Sequence, residues 1–250
     1  MRIKIDDARQ WKNLMVAVST LVDEATFKLD QNGIRLRAMD PSHVAMVDFE
    51  VPKDAFQEYV CDQPIDICVN MGEMLKLLKS VGSDETLEIS TGEEGRQLEL
   101  IFRGVFIRKF VMPTLEMTEE EAPTPKIDFN TKVKMTSSSL KQTMDDASTV
   151  SDNVRLEATP QKITFKAIGN LGSATIEFDK DSEVILSLDV KEESNATFSL
   201  NYLSEIVKAG TVASDVVDIE FSTNMPVKLN FGLPEEQRLS YYLAPRIESD

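Results

Sequence analysis

The second half of this 250-residue chain repeats the apolar pattern of the first at an offset of about 129 residues. Phe27-Lys28-Leu29 falls on Leu156-Glu157-Ala158, and Ile34-Arg35-Leu36-Arg37-Ala38 on Ile163-Thr164-Phe165-Lys166-Ala167. Ala45, Val47 and Phe49 meet Ala174, Ile176 and Phe178. Val69, Met74, Leu77, Leu78 and Lys79 meet Phe198, Leu203, Ile206, Val207 and Lys208; Leu98, Leu100 and Phe102 meet Val227, Leu229 and Phe231. Few residues are identical, but the register of apolar positions holds across almost the whole half-chain. Chance does not keep a pattern in step for that long, so the chain reads as two copies of one domain.

Each copy mixes two periodicities. Period-2 alternation marks strands at Phe27/Leu29, Ile34/Leu36/Ala38, Ala45/Val47/Phe49 and Leu98/Leu100/Phe102. Asn32-Gly33 between the first two is a hairpin turn signal. Helical spacing marks stripes at Trp11/Leu14/Val18/Leu21, Met74/Leu77/Leu78/Val81, Leu140/Thr143/Met144/Ala147/Val150 and Leu203/Ile206/Val207. These predict helices over 8–22, 71–81, 138–150 and 200–209, with Gly82 and Gly210 as stops and Asn70 with Glu73 as a capping box. The expected class is α+β: two domains, each of antiparallel sheet with two helices on one face. They span 1–111 and 127–250, joined by an extended linker at 112–126 that holds three prolines and an acidic run.

The net charge of −16 argues against broad affinity for nucleic acid, yet the charge is unevenly spread. The four expected helices hold six bases (Arg9, Lys12, Lys76, Lys79, Lys141 and Lys208) and four acids (Glu73, Asp145, Asp146 and Glu205). That is +2 on the helices and −18 elsewhere. Helices packed by their apolar stripes would present a weakly basic layer able to meet phosphates, with the acidic remainder repelling them. No base-reading motif accompanies those cations, so any duplex contact is expected to be sequence-independent.

Other chemistries find little support. Cys61 and Cys68 match no common zinc spacing and read as buried thiols. A lone His43 argues against a histidine-based metal site or a Ser-His-Asp triad, because it would have to serve alone. There is no phosphate-cradling Gly loop of the P-loop form. The chain has no apolar run long enough to span a membrane, and Met1–Asp6 carries no signal-peptide stretch, so an intracellular protein is expected. No metal or cofactor is expected.

Three segments resemble the proliferating cell nuclear antigen family of DNA sliding clamps, with the archaeal members the nearer in spacing and tail length. They are Leu36-Arg37-Ala38-Met39-Asp40-Pro41-Ser42-His43-Val44-Ala45-Met46-Val47, the tail Tyr241-Tyr242-Leu243-Ala244-Pro245-Arg246-Ile247-Glu248, and Asn201-Tyr202-Leu203 with Lys208-Ala209. The resemblance implies a non-enzymatic ring of three subunits around duplex DNA, cytoplasmic and nucleoid-associated. Arg9, Lys12, Lys76, Lys79, Lys141 and Lys208 would face the DNA, while Gln142 and Asp145 stand where the family often has bases. Ring closure would pair edge strands near Arg103–Phe110 and Gly172–Phe178. An apolar pocket for peptides of the form Q-x-x-Ψ-x-x-aromatic-aromatic would use Met39, His43, Val44, Met46, Ala122, Pro123, Pro226, Ala244, Pro245 and Ile247. The implied clients are a replicative polymerase, a clamp loader, a flap endonuclease and a DNA ligase.

Three alternatives compete. The chain could be one subunit of a heteromeric clamp. A metal-dependent nuclease would need Asp145-Asp146 or Glu119-Glu120-Glu121 to hold magnesium, although adjacent acids on a helix diverge. An acidic scaffold that never meets DNA would be indifferent to neutralising Lys76 and Lys79.

Overall fold

A computed structural model of the chain describes residues 1–82, 84–92, 95–116, 122–123, 125–170 and 172–247. The chain divides into two compact units. Unit 1 comprises Met1–Pro41, Val47–Ala122 and Leu233–Arg238; unit 2 comprises Ser42–Met46, Pro123–Gly232 and Leu239–Asp250.

The first half of the chain runs β1 (Arg2–Ile5), α1 (Ala8–Val18), β2 (Glu24–Asp30), β3 (Gly33–Met39), β4 (Ala45–Pro52), β5 (Glu58–Val60), β6 (Ile65–Asn70), α2 (Met71–Leu78), β7 (Thr86–Thr91), β8 (Gln97–Arg103) and β9 (Ile107–Pro113). The second half repeats that order: β10 (Thr131–Thr136), α3 (Ser137–Ser148), β11 (Asn153–Thr159), β12 (Lys162–Gly169), β13 (Gly172–Asp179), β14 (Ile185–Val190), β15 (Ser194–Ser199), α4 (Leu200–Ala213), β16 (Val216–Phe221), β17 (Val227–Gly232) and β18 (Arg238–Leu243). The sheets repeat as well. The order β5-β1-β7-β8-β9 has its counterpart in β14-β10-β16-β17-β18, and β6-β2-β3-β4 in β15-β11-β12-β13. The duplication in the sequence is a duplication of topology.

Alternation explains why these stretches are strands. Along β8, Leu98, Leu100 and Phe102 point inward and are buried, while their neighbours are half-buried or exposed. In unit 1 the stripes Trp11, Leu14, Val18 and Met71, Met74, Leu78 seal the helices onto the sheet. In unit 2, Leu140, Met144, Ala147 and Leu203, Ile206, Val207 do the same, above Phe165, Phe221 and Phe231. Each fully buried side chain of this size contributes about 1.5–3 kcal/mol. Cys61 and Cys68 are buried free thiols. Among the described residues, no helix is long and apolar enough to cross a membrane.

Local chemistry moves several boundaries. The first helix ends at Val18 rather than 22, because the hydroxyls of Ser19 and Thr20 both bond back to the Val16 carbonyl, at 2.8 and 3.2 Å. Leu21 is still buried beyond the helix end. The second ends at Leu78 rather than 81, and the Gly82 amide is taken by the Glu85 carboxylate at 2.9 Å. The third spans Ser137–Ser148.

Gly210 is not a stop: α4 passes through it to Ala213. A Cβ there would lie 2.1 Å from the Phe231 ring, so this glycine lets the helix approach the sheet. Asn70 caps α2 through the Glu73 amide at 2.9 Å, but the Glu73 carboxylate turns to Lys76, which leaves half a capping box. The β2–β3 turn residues are Gln31 and Asn32, since Asp30 pairs with Gly33. Gly33, at φ 146°, is needed because a Cβ would lie 2.2 Å from the Val51 carbonyl. β9 continues through Pro113, two residues into the stretch read as linker, and Leu115 bridges to Cys68. Within that stretch, residues 117–121, including Glu119-Glu120-Glu121, and Thr124 lie outside the described residues.

Candidate functional site

The helices of unit 1 hold Arg9 and Lys12 on α1 and Lys76 on α2, with Lys79 as the cap residue of α2. Arg9, Lys76 and Lys79 are exposed and Lys12 is half-buried. The Lys12 ammonium donates to the Lys79 carbonyl at 3.3 Å. It thus sits at the negative end of the α2 dipole and ties the cations of the two helices into one patch. Arg9 is 3.9 Å from Asp7, the carboxylate that caps α1 through the Arg9 and Gln10 amides. Lys76 pairs with Glu73 at 2.7 Å. With the cap residues Asp7 and Lys79 counted, four bases stand against two acids.

The helices of unit 2 differ. The Lys141 ammonium lies 2.5 Å from Asp145 one turn on, and the Gln142 amide donates to Asp146 at 2.8 Å. The two adjacent carboxylates therefore engage different partners instead of converging on a metal. No cluster of three His, Cys, Asp or Glu side chains suited to a metal ion forms among the described residues. Lys208 is exposed on α4 beside exposed Glu205. Two bases here stand against three acids.

Each unit also carries an open strand edge. In unit 1 the five-stranded sheet ends in β5 on one side and β9 on the other, and the expected stretch near Arg103–Phe110 overlaps β9 only at residues 107–110. Arg103 ends β8, and Gly104–Phe106 form the turn. Arg108 anchors that edge inward, 2.5 Å from Glu85 and with its guanidinium carbon 5.1 Å from the centroid of the Phe102 ring. Val105, Phe106, Ile107 and Val111 are left exposed, by 102, 62, 64 and 53%. In unit 2 the four-stranded sheet ends in β15 on one side and β13 on the other, and β13 pairs on one side with β12 along its length. Ala174, Ile176 and Phe178 are only half-buried there, whereas Ala45, Val47 and Phe49 on β4 are buried. Unpaired edges studded with apolar side chains are templates for another strand.

The expected peptide pocket falls partly within unit 2. His43 is exposed at φ 56°, Val44 is half-buried and Met46 is buried. The Ala244 amide donates to the Val44 carbonyl at 2.9 Å, which joins this loop to the C-terminal tail. The tail is pinned again where the Arg246 amide meets the Thr197 carbonyl at 2.7 Å and its guanidinium meets Asn153 at 2.8 Å. β15 also holds the turn before Pro226, through the Asn224 amide and the Asn195 carbonyl at 3.0 Å. Pro226, Ala244 and Pro245 are half-buried, Pro123 is exposed and Ile247 is 92% exposed. Met39, at the end of β3, and Ala122 are half-buried residues of unit 1. Sequence reasoning gave no role to the anchors Arg246, Asn153 and Thr197, although Arg246 sits inside the tail motif. It also passed over Met225, 40% exposed beside Pro226.

A duplicated domain with this topology, a helical layer and an open edge in each copy has clear relatives. The family model for the proliferating cell nuclear antigen N-terminal domain matches residues 1–122, and that for its C-terminal domain matches residues 123–246. The chain belongs to the proliferating cell nuclear antigen family. It is 37% identical over 243 residues to DNA polymerase sliding clamp 1 of Pyrobaculum aerophilum, covering 97% of this chain and 96% of that one. It is 35% identical over 246 residues to the DNA polymerase sliding clamp of Thermococcus gammatolerans, covering 98% of each. Among solved structures, the proliferating cell nuclear antigen of Thermococcus kodakaraensis superposes with a TM-score of 0.93 at 29% identity, over 98% of this chain and 99% of that one. The PCNA2–PCNA3 complex of Sulfolobus tokodaii superposes at 0.91 and 26% identity, over 99% of this chain and 100% of the matched one. The family boundary at 122/123 lies inside the stretch 112–126 read as linker.

Proposed function

We propose that this chain is a sliding clamp subunit: a non-enzymatic tether that closes as a homotrimer around duplex DNA and holds replication and repair enzymes on it. The observation that carries the reading is that two of the sheet-end strands, β9 in unit 1 and β13 in unit 2, leave apolar side chains uncovered. Two different edges on one chain make a head-to-tail contact, and a head-to-tail contact that closes on itself is a ring. The exposed apolar residues around β9 favour covering it. Helical cations then meet phosphates without reading bases. The domains are 1–111 and 127–250, with 112–126 as the connecting linker.

Clients dock on Met39, His43, Val44, Met46, Ala122, Pro123, Pro226, Ala244, Pro245 and Ile247 through short peptides with aliphatic and aromatic anchors. Adaptable Met, Val, Ile and Pro surfaces suit such plugs. A replicative polymerase, a clamp loader, a flap endonuclease and a DNA ligase are the expected clients, and holding them at DNA raises their effective concentration without any chemistry by the clamp. The protein acts in the cytoplasm at the nucleoid.

Light scattering across a range of concentrations tests the assembly. A mass of three subunits, with capture of a Q-x-x-Ψ-x-x-aromatic-aromatic peptide, is the expected result. A monomer that binds no such peptide would overturn the reading. A monomer or dimer that does bind it would redirect the reading to a heteromeric ring, an arrangement for which the complex of two different clamp chains from Sulfolobus tokodaii is a precedent in name.

A further inference from the structure

The duplication gives each helical position a counterpart 129 residues on, so the two helical layers can be compared cation by cation. Two of the four bases of unit 1 are kept: Lys12 corresponds to Lys141 and Lys79 to Lys208. The other two are not. Arg9 corresponds to Ser138, and Lys76 to Glu205, which reverses a charge. Asp145 stands where α1 has Val16, and Asp146 adds a further acid beside it. The buried counterparts are meanwhile conserved in kind: Trp11 and Leu140, Met15 and Met144, Val18 and Ala147 are all buried. The scaffold has been held while its outer charge has diverged.

The geometry deepens that divergence. The Lys141 charge is met on its own helix by Asp145 at 2.5 Å. Asp145 and Asp146 lie in the last turn of α3, where the helix dipole is already negative, so an approaching phosphate meets repulsion from both. In unit 1, by contrast, Asp7 and Glu73 lie in or next to the first turns of their helices, where a negative charge is stabilised by the dipole and its field is offset. Lys79 is the cap residue at the other end of α2, and Lys12 rests on its carbonyl. Helices with their cap residues carry +2 in unit 1 and −1 in unit 2.

We infer that duplex phosphates are held by the helical layer of unit 1, through Arg9, Lys12, Lys76 and Lys79, and that the helical layer of unit 2 spaces the duplex without binding it. The inference rests on the clamp reading. It makes the contact lopsided within every subunit, so the duplex engages alternate helix pairs around a ring instead of a uniform collar.

The test is the salt dependence of binding to a short fluorescent duplex by the assembled protein, with assembly checked by light scattering for each variant. Arg9→Gln with Lys79→Gln should weaken binding and flatten the slope of log affinity against log salt by about 0.9 for each phosphate contact removed. Lys141→Gln with Lys208→Gln should leave the slope within about half of one such contact of the parent. Asp145→Lys with Glu205→Lys, which reverses two acids of unit 2 and places a lysine at the counterpart of Lys76, should tighten binding and steepen the slope by at least one contact. Equal losses from the two neutralised pairs, or no gain from the reversed pair, would overturn the asymmetry while salt-dependent binding by the parent left the clamp reading standing. A parent protein and a reversed variant that both failed to bind duplex at any salt concentration would sink the clamp reading itself.

Discussion

Gly210→Ala distinguishes a helix stop from a close approach. Alanine is the better helix former by about 1 kcal/mol, so at an unconstrained interior position the change would stabilise. Here the added methyl would sit 2.1 Å from Cζ and 2.3 Å from Cε1 and Cε2 of Phe231. The ring has little room to yield. Phe231 is fully buried, and the buried Tyr241 ring stands edge-on to it at 6.0 Å and 84°. Inserting a methyl into such packing costs about 1–3 kcal/mol, and contact this short belongs at or beyond the top of that range. The net expectation is a loss of about 1–2 kcal/mol, read from the urea midpoint at unchanged slope. In a chain of this length that lowers the melting temperature by roughly 2–8 °C at fixed protein concentration.

The decisive assay is a double-mutant cycle with Phe231→Leu. Direct collision predicts that the smaller side chain relieves the cost, with a coupling of about 0.5–3 kcal/mol. If Gly210 were a C-terminal stop, alanine would cost about 1 kcal/mol whatever stood at 231, and the coupling would vanish. A stabilised Gly210→Ala protein, or additive effects, would refute the reasoning.

Other expectations follow from the same geometry. Ile107→Lys with Val111→Lys places two charges on the exposed face of β9, and light scattering should show the mass falling toward one subunit while circular dichroism stays folded. Ile247→Ala, at a side chain too exposed to matter for folding, should weaken capture of a Q-x-x-Ψ-x-x-aromatic-aromatic peptide by about 1 kcal/mol, roughly five-fold, with no change in mass or melting temperature. Burial raises the Glu220 carboxyl, but hydrogen bonds from Lys132 and Lys228 outweigh it and hold the group below the usual carboxylate range. Its folded value is therefore below an unfolded value of about 4.3, so its contribution is complete above that pH and is lost as the pH falls through the folded value. Glu220→Gln should flatten that part of an acid-unfolding curve followed by far-ultraviolet circular dichroism, and a curve unchanged in shape would count against the pairing.

The fold was legible where packing dictates the residue. Alternation along Leu98, Leu100 and Phe102 and the stripe through Trp11, Leu14 and Val18 both report burial, and burial is what the duplicated scaffold must conserve. Boundaries were less legible because they depend on contacts distant in sequence. The pattern around Gly210 has no means of showing that Phe231 lies against it, and the hydroxyls that end α1 at Val18 sit in a stretch whose apolar residues continue to Val22. The β9 edge was displaced from Arg103–Phe110 for a related reason. Phe102 and Phe110 both alternate correctly, but the turn at Gly104–Phe106 exposes Val105 and Phe106, and apolar turn residues read as strand. At the tail, the motif pointed to Ala244, Pro245 and Ile247; the bonds from Arg246 to Thr197 and Asn153 need the fold before they exist.

The same division between packed and solvent-facing positions bears on how a duplicated protein acquires unequal halves. A substitution at Met144 or Val207 is tested against a packed interior, and such positions hold their character across the repeat. One at Ser138, Asp145 or Glu205 falls on an exposed position of the isolated subunit and costs the fold little. Stability therefore places almost no constraint on charge in the helical layer, and whatever keeps four bases on the helices of unit 1 must come from outside the subunit. A partner of dense negative charge supplies such a constraint. It constrains only the helices it touches, which is why the loss of two of the four bases in unit 2 is itself information about where that partner lies.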